Sequence, residues 1–159
     1  MISVHPKIIV KEEFKVIGIR RRVHVQGRES IQLWEDFMAR IPEIKNTVNT
    51  DWSYSFCLYE SDFNIQDMSD NVEIDFLAGV EVSDFESIPT GMTTKLVPTQ
   101  KYAVFTSDNS RKIYNYIYGD WARNSGYELA ETDDFECYDL RYNPGDLAHS
   151  RLEIYVPIK

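Results

Sequence analysis

The sequence predicts an α+β domain of two strand-helix-strand-strand (βαββ) modules in pseudo-two-fold arrangement, about residues 8–82 and 91–158, with a central ligand cleft at their join. Three observations point there. Strand-like alternation and helix-like spacing follow one another in the same order twice. Short stretches of the halves line up, Asp75-Phe76-Leu77-Ala78-Gly79-Val80 with Glu153-Ile154-Tyr155-Val156-Pro157-Ile158, and Lys15-Val16-Ile17-Gly18 with Tyr102-Ala103-Val104-Phe105. The stretch from Ser83 to Thr90, ending at Pro89 and Gly91, is the best internal boundary. At 159 residues the chain fits one domain, or two small halves sharing a core. Clefts between modules are common ligand sites.

The elements follow in order. Residues 8–25 read as one extended region, broken by Gly27. A helix comes next, with Ser30 a candidate cap near its start. Leu33, Trp34, Phe37, Met38 and Ile41 form one apolar stripe, and Pro42 stops the helix or bends its end. Residues 52–60 and 72–82 alternate as strands. Beyond the boundary, Met92 to Phe105 is extended and interrupted at Pro98. Ser110 can cap a second helix carrying Ile113, Ile117 and Trp121, which Gly126 terminates. A strand over 134–142, the turn Asn143-Pro144-Gly145-Asp146 and a last strand complete the chain. Cys57 falls near the matching place to Cys137.

The last strand carries the chemistry. Side chains alternate between faces, so Leu152, Ile154, Val156 and Ile158 share a face that packs on helices. Glu153 and Tyr155 share the other. A carboxylate beside an aromatic ring suits an amphipathic cation, by charge and by the ring quadrupole. The competing reading is a solvated sheet face. Asp75 aligns with Glu153, either as a second acid of the cleft or as plain surface.

Composition narrows the function further. A formal charge of −9 opposes unaided binding to phosphate backbones, and the basic cluster Arg20-Arg21-Arg22 is too short to overcome it. An acidic field attracts cations instead. Two cysteines with no CxxC spacing and three scattered histidines speak against a metal site. No cofactor motif occurs: there is no glycine-rich phosphate loop and no nucleophile elbow around Ser53 or Ser55. With no apolar leader and no long apolar run, the chain reads as soluble and cytoplasmic, without membrane contact. The acidic run Glu131-Thr132-Asp133-Asp134, with Glu136, reads as a solvated loop.

Several stretches together carry a family resemblance: Phe76-Leu77-Ala78-Gly79-Val80, Pro89-Thr90-Gly91-Met92, Lys101-Tyr102-Ala103-Val104-Phe105, the run from Trp121 to Ser125-Gly126-Tyr127-Glu128, and the terminal Glu153 to Ile158. In that order they resemble the GyrI-like small-molecule-binding domain, over about residues 8–159. This is also the effector-binding module of AraC-type and MerR-type bacterial regulators. The resemblance implies two βαββ modules around an aromatic pocket with an internal acid, which binds lipophilic cations or other drug-like compounds. It maps the acid onto Glu153 and the aromatic walls onto Tyr59, Trp121 and Tyr155. Trp121 equally suits core packing at the end of its helical stripe. No reader helix precedes residue 8, so a standalone form without direct DNA binding is expected. Two rivals come with the family: a hydrolase using Glu153 with Tyr155 or Tyr59, and a module that binds a protein partner such as gyrase.

Overall fold

A computed structural model describes residues 5–24, 28–58, 73–107, 112–139 and 151–159. Its eight strands are β1 (Lys7–Lys11), β2 (Phe14–His24), β3 (Thr47–Leu58), β4 (Glu73–Val82), β5 (Thr93–Val97), β6 (Gln100–Ser107), β7 (Phe135–Asp139) and β8 (Arg151–Ile158). Helix α1 (Arg28–Arg40) connects β2 to β3. Helix α2 (Lys112–Tyr116) runs through a π-helical turn (Ile117–Trp121) into α3 (Ala122–Asn124), between β6 and β7. The fold class is α+β, as the sequence predicts.

The strands form a single antiparallel sheet in the order β1-β6-β8-β7-β3-β4-β2-β5. Both halves run strand, helix, strand, strand: β2-α1-β3-β4 and β6-α2-β7-β8. They meet where β3 pairs with β7. Each half also lends its leading strand to the other. β1 pairs with β6, and β5 pairs with β2. The extended region expected over 8–25 is therefore two strands, separated at Glu12-Glu13 and sent to opposite edges of the sheet.

Both faces of the sheet are apolar. On one, α1 contributes Leu33, Trp34 and Phe37, and the second helical segment contributes Ile113, Ile117 and Trp121. They pack on Ile17, Ile19, Val80, Phe105, Ile154 and Val156 among others. Each fully buried aliphatic or aromatic side chain here contributes about 1.5–3 kcal/mol relative to exposure. On the other face Phe14, Tyr54, Phe56, Tyr102 and Phe135 form an aromatic cluster, with Tyr155 packed against it. Its rings contact one another edge-on and stacked, Phe135 to Tyr155 at 4.6 Å and Tyr102 to Phe135 at 5.3 Å. The sheet curls towards this side. Gly18 and Gly79 sit directly opposite each other on β2 and β4, where a Cβ on Gly18 would overlap the carbonyl of Ala78.

The predicted boundaries hold in part. Helix α1 gives way at Ile41 to a short 3₁₀ turn carrying Pro42, and Gly126, at φ +82°, follows the end of α3. Ser30 is not the cap: α1 begins at Arg28, so Ser30 lies inside it. The turn at 143–146 and Ser110 lie outside the described residues. Neither Cys57 nor Cys137 is in a disulfide. They sit on opposite faces, because Cys57 alternates with Phe56 of the aromatic cluster whereas Cys137 belongs to it.

Candidate functional site

The seam between β3 and β7 brings polar groups under the helices. Along β7, Phe135 and Cys137 point to the aromatic cluster, so Glu136 and Tyr138 point to the helix-covered face. Ser55 of β3 is the cross-strand partner of Glu136, and Ser53 is the partner of Tyr138. The acidic run begins exposed at Glu131 and ends in a half-buried polar cluster at Asp134 and Glu136, not in a solvated loop throughout. Helices and a partner strand from distant parts of the chain cover what looks locally like a turn.

Glu136 is half-buried and accepts hydrogen bonds from three hydroxyls. Tyr114 of α2 and Tyr138 of its own strand donate at short range, and Ser55 Oγ donates at 3.5 Å, the long end of the range. Burial raises its carboxyl above the ordinary value, while the bonds from Tyr138 and Ser55 oppose that rise. Burial and the neighbouring Glu136 carboxylate push the Tyr138 phenol well above 10.0. Trp34 of α1 closes the other side, with its ring edge-on to Tyr138 at 5.4 Å. Two residues upstream, Asp134 accepts from Tyr118 and is pushed up to about 6, mainly by burial. The rings of Tyr114 and Tyr118 stack nearly parallel, 6.5 Å apart. Among the described residues no cation pairs with Glu136 or Asp134.

The residues singled out from sequence lie elsewhere. Glu153 and Tyr155 point away from the helices, and Ile154 towards them, as alternation requires. Glu153 is half-buried between Thr106 and Cys137 of the flanking strands, and Tyr155 joins the aromatic cluster. Asp75 shares their face but is held by two arginines, Arg20 Nε at 3.1 Å and Arg22 at 3.5 Å. Arg20, the main cause, holds its carboxyl below the ordinary value. Trp121 is core, edge-on to Phe105 at 5.1 Å. Its outer side lines a groove of about 510 Å³ with Ile8, Tyr116, Asp120 and Tyr127. Tyr59 lies outside the described residues. Among the described residues no group of His, Cys, Asp and Glu has metal-site geometry, and no helix is long and apolar enough to cross a membrane.

Comparison with known proteins agrees with this fold. The chain is 31% identical over 160 residues to the transcriptional regulator BrlR of Pseudomonas aeruginosa, matching 98% of this chain and 56% of that protein. It thus spans little more than half of its curated relative. The EcmrR–DNA complex superposes at a TM-score of 0.73 with 17% identity, over 98% of this chain and 57% of EcmrR. SAV2435, solved with tetraphenylphosphonium, superposes at 0.65 with 16% identity, over 98% of this chain and 94% of that one. The sequence pattern of the Cass2 family matches residues 7–158, so the chain belongs to Cass2, the integron-associated effector-binding proteins.

Proposed function

We propose that the chain binds a small amphipathic cation under its two helices, with Glu136 as the acid that selects charge. The observation that carries this reading is an acid half-buried at the β3/β7 seam with hydroxyl partners alone and aromatic rings on both sides. A carboxylate in such a place is poorly solvated, and an incoming cation offsets that cost. Tyr114 and Trp34 supply flat apolar surface and a ring quadrupole. The tetraphenylphosphonium bound to SAV2435, a protein of the same fold, is a cation of this class. This assignment moves the acid from Glu153 to Glu136, on the opposite face of the sheet. Glu153 keeps a rival claim, because it is half-buried near Tyr155 and the aromatic cluster.

Calorimetric titration with tetraphenylphosphonium separates the two. Glu136→Gln is expected to weaken the cation by about 1–3 kcal/mol. It should leave a neutral tetraphenyl analogue unchanged, and Glu153→Gln should leave both unchanged. Loss on Glu153→Gln alone would return the acid to the other face. Ligand recovered unchanged after incubation separates a binder from the hydrolase reading.

A further inference from the structure

A second acid stands beside Glu136. Asp134 directly precedes β7, two residues from Glu136 and on the order of 7 Å away along an extended backbone. Both turn to the helix-covered face, and each holds its own phenol: Tyr118 on Asp134, Tyr114 on Glu136. The two phenols stack in parallel at 6.5 Å, so the acid–phenol pairs stand side by side. The intervening chemistry is kept apart. Lys95 is committed to Asp133, at 2.7 Å, and not to Asp134. One polar group at this seam is unspent. Ser53 is completely buried, and its hydroxyl has no hydrogen-bond partner among the described residues. It alternates with Tyr54 of the aromatic cluster, so it turns to the same face as Ser55, opposite Tyr138. A buried hydroxyl left unsatisfied costs free energy until a donor or acceptor reaches it.

We infer that the preferred ligand is a compact dication with two N–H-bearing nitrogens about 7 Å apart, one seated at Glu136 and Ser53, the other at Asp134. This rests on the cation-binding reading above and names the ligand class for it. A single bulky cation engages Glu136 and leaves Asp134 with its phenol. A diamine with an aromatic spacer satisfies both acids, gives Ser53 a partner, and lays its ring against the Tyr114–Tyr118 stack. Burial raises the carboxyls of both acids, so each has unmet electrostatic demand that a second positive centre meets.

The test compares para-xylylenediamine with benzylamine, its one-charge counterpart, and with the biphenyl homologue, whose amines are too far apart. Tetraphenylphosphonium serves as the reference cation. Calorimetry is expected to show para-xylylenediamine binding on the order of tenfold tighter than either amine. Asp134→Asn should erase that advantage and leave benzylamine unchanged, whereas Glu136→Gln should weaken all three. Tyr118→Phe frees the Asp134 carboxylate from its competing phenol and should tighten the diamine, so an unfolded Asp134→Asn protein would not spare the idea. Equal affinities for diamine and monoamine, or a Tyr118→Phe protein no tighter than the parent, would overturn the two-centre inference. If tetraphenylphosphonium binds through Glu136 while the diamine gains nothing, only this inference falls. If no cation binds, the proposed function falls with it.

Discussion

Ser55 and Glu136 face each other across the strand pair that joins the two halves of the sheet. One comes from the strand after the first helix, the other from the strand after the second, 81 residues further on. The acid therefore sits where both halves contribute: α1 through Trp34, and α2 through Tyr114. Neither half alone brings these groups together.

Such an acid carries a cost when no ligand is present. An ionised carboxylate under two helices is desolvated, and its hydroxyl partners compensate only in part. Glu136→Gln removes the charge and keeps the shape. We expect it to stabilise the unliganded protein by about 0.5–2 kcal/mol, even as it removes cation binding. Thermal melts with and without tetraphenylphosphonium read both effects. A lower melting temperature for the unliganded variant would show that Glu136 is structural.

Asp134 gives a pH signature. Its folded-state value lies near 6, above the ordinary 3.8. Between those values the folded state binds more protons than the unfolded, so its contribution to stability declines as pH rises through the window. Asp36 and Asp75, held low by Arg21 and Arg20, contribute in the opposite sense, and only below 3.8. Denaturant midpoints measured from pH 3.8 to about 6 should therefore fall less steeply for Asp134→Asn than for the parent. Parallel curves would mean that Asp134 is solvated like an ordinary surface acid.

The basic cluster is spent on neighbouring acids at the surface. Arg20 pairs with Asp75, Arg21 with Asp36, and Arg22 with Asp75 and Glu73. With a formal charge of −9 and these arginines matched to acids, the described residues present no basic stripe to release counterions from DNA. We expect no mobility shift with duplex DNA even at low salt. A shift that disappears as salt rises would identify the cluster as available after all.

How far the sequence was legible turns on two strands. For β8 the alternation assigned both faces, because Leu152, Ile154 and Val156 make an apolar stripe that a helix must cover. The same rule applied to β7 gives Phe135 and Cys137 on one side, Glu136 and Tyr138 on the other. Here the helices cover the polar side, and alternation alone cannot say which side a helix takes. The aromatic side of β7 is buried by the curl of the sheet itself, a long-range effect with no local pattern. An acid and a tyrosine two residues apart on one strand face occur at Glu136/Tyr138 as well as at Glu153/Tyr155, and that was the available signal. The separation of β1 from β2 was harder, since only Glu12 and Glu13 interrupt an otherwise continuous extended run.

Two glycines let β2 and β4 approach closely. Gly18 and Gly79 are cross-strand partners, with no side chain between their backbones. A Cβ on Gly18 meets the backbone carbonyl of Ala78, and one on Gly79 overlaps Val16 and comes within 2.9 Å of the Ile17 carbonyl oxygen. Backbone atoms cannot yield as a flexible side chain can, so relief requires moving β2 from β4. Neither is an edge strand, and β2 also carries Phe14 and Val16 into the aromatic cluster and Ile17 and Ile19 under α1. Gly18→Ala is therefore expected to cost at least the ~1–3 kcal/mol typical of overpacking. Gly126→Ala meets no atom within 4 Å and costs only its backbone conformation, at φ +82°. Urea denaturation of the two variants should rank Gly18→Ala as the less stable. Equal midpoints would mean that the strands separate freely at this point.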